Sequence, residues 1–118
     1  MKGQPFFRRL GFAWNGLKSA VARESSFRIH LAVTACVLLV LLSTRPPFVW
    51  WAIVAMTIGF VLVAELFNAA LETLIDHLHP AVHPEIGIAK DLAAAAVLVA
   101  SLIAVVVGLV FLLDRLVP

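Results

Sequence analysis

Twenty-two consecutive residues, Leu92 to Leu113, carry no charge. As a helix such a run is about 33 Å long, enough to cross the roughly 30 Å hydrocarbon layer of a bilayer. A second uncharged run covers 17 residues, Phe48 to Ala64, and a third, shorter one spans Ile29 to Ser43. The last is short for a crossing, so His30 or Thr44 is expected at a membrane boundary. With 118 residues, 63% of them hydrophobic, and a mean hydropathy of +1.05, the chain has room for three crossings and little else. An ordinary soluble domain is excluded. The expectation is a single all-α membrane domain, residues 1–118.

Residues 6–23 read as an amphipathic surface helix. Phe7, Leu10, Trp14, Leu17 and Val21 recur every three or four positions, with Arg8, Arg9, Asn15 and Lys18 on other faces. Such a helix suits the membrane interface, or else packs on the protein's own surface. The first 30 residues hold six basic side chains and no long apolar core, unlike a cleaved signal peptide. Glu24 stands alone among bases in the break that follows and, read by itself, is a surface ion-pair partner. Cys36, the single cysteine, can form no internal disulfide.

The crossings are expected at about 29–43, 48–76 and 92–113. Arg45-Pro46-Pro47 should turn the chain, with Arg45 pushed toward extended geometry by the proline after it. Trp50 and Trp51 then sit where an aromatic belt belongs. His77 to Asp91, punctuated by Pro80, Pro84 and Gly87, reads as a polar loop. Ala93 to Ala96 open the last crossing with small residues that permit close helix packing. Six basic residues before the first crossing outvote Arg115 and place the N-terminus in the cytoplasm, with Glu24, Glu72, Lys90 and Asp91 at that surface.

The chemistry concentrates where the second crossing ends. Glu65, Asn68, Glu72 and Asp76 are spaced three, four and four apart, which puts all four on one helix face. Carboxylates at a membrane boundary are costly and face a protein interior, a cation or water. Two or three acids with Asn68 make a hard-cation site of the kind Mg²⁺ uses. Lys90 can meet a phosphate, Asp91 can orient a donor or the metal's surroundings, and Glu65 can take a proton from a hydroxyl. Together these supply phosphoryl transfer. No GxxxxGK[ST], protein-kinase glycine loop or HExxH is present. His77, His79 and His83 could form a metal cluster, but loop histidines without cysteine are more often solvated. His30 reads as an interfacial residue, and the N-terminal bases as lipid-headgroup contacts with no nucleic-acid partner.

Glu65-x-x-Asn68-x-x-x-Glu72-x-x-x-Asp76, followed by His83 and by Gly87-x-Ala89-Lys90-Asp91-x-x-x-Ala95-Ala96-Val97-Leu98, resembles the small bacterial integral-membrane lipid kinases, the diacylglycerol kinase and undecaprenol kinase family. Trp14-x-Gly16-Leu17 and Glu24-x-x-Phe27-Arg28 fit the same pattern. The resemblance implies a homotrimer in the bacterial cytoplasmic (inner) membrane, three transmembrane helices and a surface helix per subunit. It implies composite active sites at the cytoplasmic boundary, and ATP and Mg²⁺ as co-substrate and cofactor. It makes Glu65 the general base toward the lipid hydroxyl, and Glu24 and Glu72 the metal carboxylates. Asn68, His83, Lys90 and Asp91, with Glu24, Glu72 and Phe12, become the nucleotide contacts. Arg9, Trp14, Arg28, Glu65 and Ala94 become the lipid contacts.

Three positions depart from the family pattern: Phe12 stands where a tyrosine is expected, Ala94 where a serine can occur, and Asn15 is not basic. Phe27-Arg28-Ile29-His30 and His83-Pro84 look more like the undecaprenol branch. The expected reaction is therefore undecaprenol to undecaprenyl phosphate, with diacylglycerol to phosphatidic acid as the alternative. A proton-coupled transporter using Glu65 is the competing class, and a purely structural membrane protein a third.

Overall fold

The computed structural model describes residues 2–118, which form four helices: α1 (Phe6–Arg23), α2 (Ser25–Thr44), α3 (Phe48–Leu78) and α4 (Pro84–Leu116). There is no strand among the described residues. The protein is all-α, and α2, α3 and α4 are each long and apolar enough to cross a membrane.

One extended residue, Glu24, separates α1 from α2. Its N–H still bonds the Ala20 carbonyl, and its own carbonyl accepts from the Arg28 N–H. The corner is held by the Arg28 guanidinium, which donates to the carbonyls of Val21 (2.8 Å) and Ala22 (3.3 Å). These are the carbonyls that the end of α1 leaves without helical partners. Ala20 and Phe27 are buried on the two arms of the corner.

Between α2 and α3, Arg45 is left-handed, with φ 48° and ψ 58°, rather than extended as the following proline suggested. Both conformations escape the right-handed helical region that the ring of Pro46 forbids. The left-handed one also lets the Arg45 N–H close on the Leu41 carbonyl at 2.9 Å, a regular helix stop.

The segment Pro84–Asp91, read from sequence as loop, is helical. Pro84 begins α4 instead of interrupting it, because the first helical position needs no N–H and favours proline's fixed φ. His83 caps the helix: its Nδ1 accepts the Glu85 N–H at 3.1 Å. The last helix therefore extends well beyond 92–113 at both ends, α2 begins at Ser25 and α3 runs on to Leu78.

The three long helices run up, down and up. His30 meets Glu65, and Leu41 packs with Val54, so α2 and α3 keep an antiparallel register over eleven residues, or three turns. Leu41, Val54 and Phe111 form the buried cluster where all three helices meet. Trp50 stands edge-on to Phe111 (5.2 Å, 89°) and donates its indole N–H to Asp114 at 3.0 Å. Arg115 donates to the Thr44 carbonyl. This is the tryptophan end of the bundle; the other, carrying Glu24, Glu72, Asp76 and Lys90, is the acidic end. Elsewhere large apolar side chains face outward, Met56 at 74% and Phe60 at 66% exposure, as expected where lipid or another apolar surface is the surroundings.

Candidate active site

Helix α3 sets the site. Counting from Phe48, Glu65 lies about 26 Å along the axis and Glu72 about 36 Å. A hydrocarbon layer of roughly 30 Å beginning at Phe48 would end between Glu65 and Glu72.

Glu65 is the one buried charged side chain among the described residues, 6% exposed. Its Oε1 lies 3.0 Å from Nε2 of His30 on α2. A buried carboxylate without a donor would carry a large desolvation cost, and the His30 imidazole is the polar group placed to offset it. One turn on, Asn68 Oδ1 is buried with no hydrogen-bond partner. An orphan acceptor of this kind is rare and calls for a donor or a cation. Glu72 is partly buried and follows on the same face, while Asp76 is exposed.

The early turns of α4 come next to this face. Lys90 is paired with Asp76, and Glu72 adds to the negative field around it. Asp91 and Ala94 are exposed on α4, and His83 is engaged in capping that helix. His79 faces His83 edge-on at 5.9 Å, its Nδ1 3.0 Å from the Ala81 carbonyl. Among the described residues, no three His, Cys, Asp or Glu side chains converge as a metal site, so the loop histidines are not gathered into one.

Glu24 opens on a different surface. It lines a cleft of about 790 Å³ between α1 and α3, with Ala13, Gly16 and Ala20 on one wall and Leu66, Ala69 and Thr73 on the other. At 100° per residue that wall lies about a third of a turn around α3 from the Glu65–Asn68–Glu72 face. One chain thus keeps Glu24 and Glu72 on separate surfaces. The oxygen-only donors Glu24, Asn68 and Glu72 nonetheless suit a hard cation such as Mg²⁺, and the unpartnered Asn68 Oδ1 is the one acceptor already stripped of other bonds.

Of the remaining expected contacts, Arg9, Phe12 and Trp14 are exposed on α1. Trp14 borders an apolar cleft of about 440 Å³ together with Phe27 and Leu62. Arg28 is exposed, and its Nη1 donates to the α1 carbonyls. The residue that sequence reading missed is His30. No spacing along the chain links positions 30 and 65; only the α2–α3 register does.

A family profile described as prokaryotic diacylglycerol kinase matches residues 11–112. A diacylglycerol kinase of Synechocystis sp. is 37% identical over 106 residues, covering 89% of this chain and 61% of that protein. One from Escherichia coli K12 is 33% identical over 108 residues, covering 86% and 84%. One from Helicobacter pylori J99 is 33% identical over 94 residues, covering 79% and 73%. The chain thus spans less than two thirds of the Synechocystis relative and most of the other two.

Proposed function

We propose that this chain, a member of the prokaryotic diacylglycerol kinase family, transfers the γ-phosphate of ATP to the hydroxyl of diacylglycerol at the acidic end of the bundle. The observation that carries the reading is the buried Glu65, in contact with His30 and one turn from an unpartnered Asn68 oxygen. A lipid hydroxyl lies at the hydrocarbon boundary, and the length of α3 up to Glu65 supports a place for that carboxylate near it.

In the reaction the hydroxyl O–H breaks and its proton goes to Glu65. The oxygen forms a bond to the γ-phosphorus as the bond to the bridging oxygen breaks, and ADP leaves. Mg²⁺ would be held by Glu72 and Glu24 with Asn68 beside it, and would neutralise phosphate charge. Lys90 must exchange Asp76 for phosphate when nucleotide binds, a small cost for an exposed pair. Asp91 orients the nucleotide, His83 fixes the turn beside it, and Phe12 packs against it without a hydroxyl to offer. Arg9, Trp14 and Ala94 border the lipid; Arg28 serves it indirectly, by fixing the corner at Glu24.

The separation of Glu24 from Glu72 supports a homotrimer, in which Glu24 of one subunit completes the Glu72 site of the next. The basic N-terminal arm supports a cytoplasmic position for the acidic end in the bacterial inner membrane.

The relatives' names favour diacylglycerol over undecaprenol. The short matches that pointed to undecaprenol are also weakened by what those residues do. Phe27 is buried at the corner, Arg28 caps α1, His30 holds Glu65 and His83 caps α4. Their identities answer to demands inside the chain before they answer to a lipid. Transfer of labelled γ-phosphate in mixed micelles, with diacylglycerol and undecaprenol side by side and with and without Mg²⁺, decides the matter. Mg²⁺-dependent label in diacylglycerol is expected. Label mainly in undecaprenol would move the enzyme to carrier-lipid metabolism. No transfer from folded protein would overturn the kinase reading in favour of a transporter.

A further inference from the structure

We propose that His30 is a positioning residue for the phosphoryl-transfer base: its Nε2–H holds Oε1 of Glu65, so that the other carboxylate oxygen faces the lipid hydroxyl. The inference rests on the kinase reading and deepens it. His30 sits in the second turn of α2 and Glu65 in the middle of α3, and their side chains meet at 3.0 Å with 25% and 8% exposure. His30 is the one histidine away from the α3–α4 connection.

Three observations make the pair a built feature. Phe27, one turn earlier, is buried, and Arg28 ties the same turn to the end of α1, so the start of α2 is fixed relative to the corner. The Thr34 hydroxyl donates to the His30 carbonyl at 2.7 Å, occupying the backbone acceptor behind the ring. The imidazole also borders an apolar groove of about 340 Å³ between α2, α3 and α4, where Thr57 and Ser101 are among the few polar neighbours. In such surroundings an unsupported carboxylate swings toward whatever donor is available, and its orientation toward the lipid is lost. A donor at this distance orients the carboxylate, as the buried partner of a catalytic group does elsewhere. The proton from the lipid hydroxyl ends on Glu65; His30 gives and receives none in the transfer itself.

The test compares His30→Ala, His30→Asn and His30→Gln with the wild-type chain in mixed micelles at saturating dioleoylglycerol, varying MgATP. Glutamine places an amide N–H near the position of Nε2, and asparagine does not. Loss of the donor should lower kcat at least about tenfold in the alanine and asparagine variants, while glutamine stays within about threefold of wild type. The KM for MgATP should stay within about twofold in all three, since no contact to the nucleotide is removed. In a Glu65→Gln background, His30→Ala should lower kcat no further. Wild-type kcat in His30→Ala, a loss carried by the KM for MgATP, or glutamine no better than asparagine would overturn the assignment. Should the alanine variant fail to fold, the asparagine–glutamine pair decides. A wild-type chain that transfers no phosphate would overturn the kinase reading and this inference together; an active wild type with an indifferent His30 would overturn the inference alone.

Discussion

The two ends of the bundle use polar groups in opposite ways. At the tryptophan end, polar groups close on partners in the chain: Asp114 on the Trp50 indole, Arg115 on the Thr44 carbonyl, the Arg45 N–H on Leu41. They surround the buried Leu41–Val54–Phe111 cluster. At the acidic end Asn68 Oδ1 has no partner, Glu24 borders an open cleft, and Lys90 is held by a single exposed acid. Satisfied polar groups specify a fold; unsatisfied ones at a boundary wait for a ligand. The buried three-helix cluster is thus at one end and the unpartnered polar groups at the other.

Four substitutions can break or sharpen that contrast. On the proposed reading Glu72→Gln weakens Mg²⁺ binding and should lower Mg²⁺-dependent turnover at least about a hundredfold, since a bound metal supplies several kcal/mol to the transition state. Circular dichroism and the thermal midpoint should be unchanged; full activity would refute the metal role. Phe111→Ala should destabilise by about 2 kcal/mol, below the usual range for a buried phenylalanine, because lipid replaces part of the lost apolar surroundings. A thermal unfolding series in detergent measures this, and turnover below the transition should be kept.

Trp50→Phe keeps the ring against Phe111 and removes only the bond to Asp114, so it should cost about 1 kcal/mol with normal kinetics. The smallest effect belongs to Asp76→Asn. It frees the Lys90 ammonium from its exposed partner and should leave the thermal midpoint unmoved, while the KM for MgATP falls by no more than about twofold. A large loss of stability there would mean that the acidic end is more tightly built than its geometry indicates.

Much of this was legible in the sequence, because the bilayer imposes it. Uncharged runs announced the crossings, and the spacing of Glu65, Asn68 and Glu72 announced a polar face, since helical periodicity is local. What escaped was whatever depends on contacts between helices. Pro84 looked like a break, but capping by His83 turns it into a start. Arg28 looked like a lipid contact, and only the corner at Glu24 shows its guanidinium on the α1 carbonyls. His30 looked interfacial until the register of α2 and α3 set it on Glu65. Arg115 looked like a stray charge against the orientation rule, yet it is bound to the end of α2.

On the proposed reading Glu65 is a chemical group and not a structural one. Glu65→Gln tests it most directly, because the amide still accepts from His30 and fills the same volume. Phosphate transfer to diacylglycerol and the thermal midpoint should be measured on one purified sample. Turnover is expected to fall by about a hundredfold to ten-thousandfold, the usual worth of a general base, with the midpoint and the KM for MgATP unchanged. Turnover near the wild-type rate, or a loss that tracks a collapsed midpoint, would mean that Glu65 is not the base.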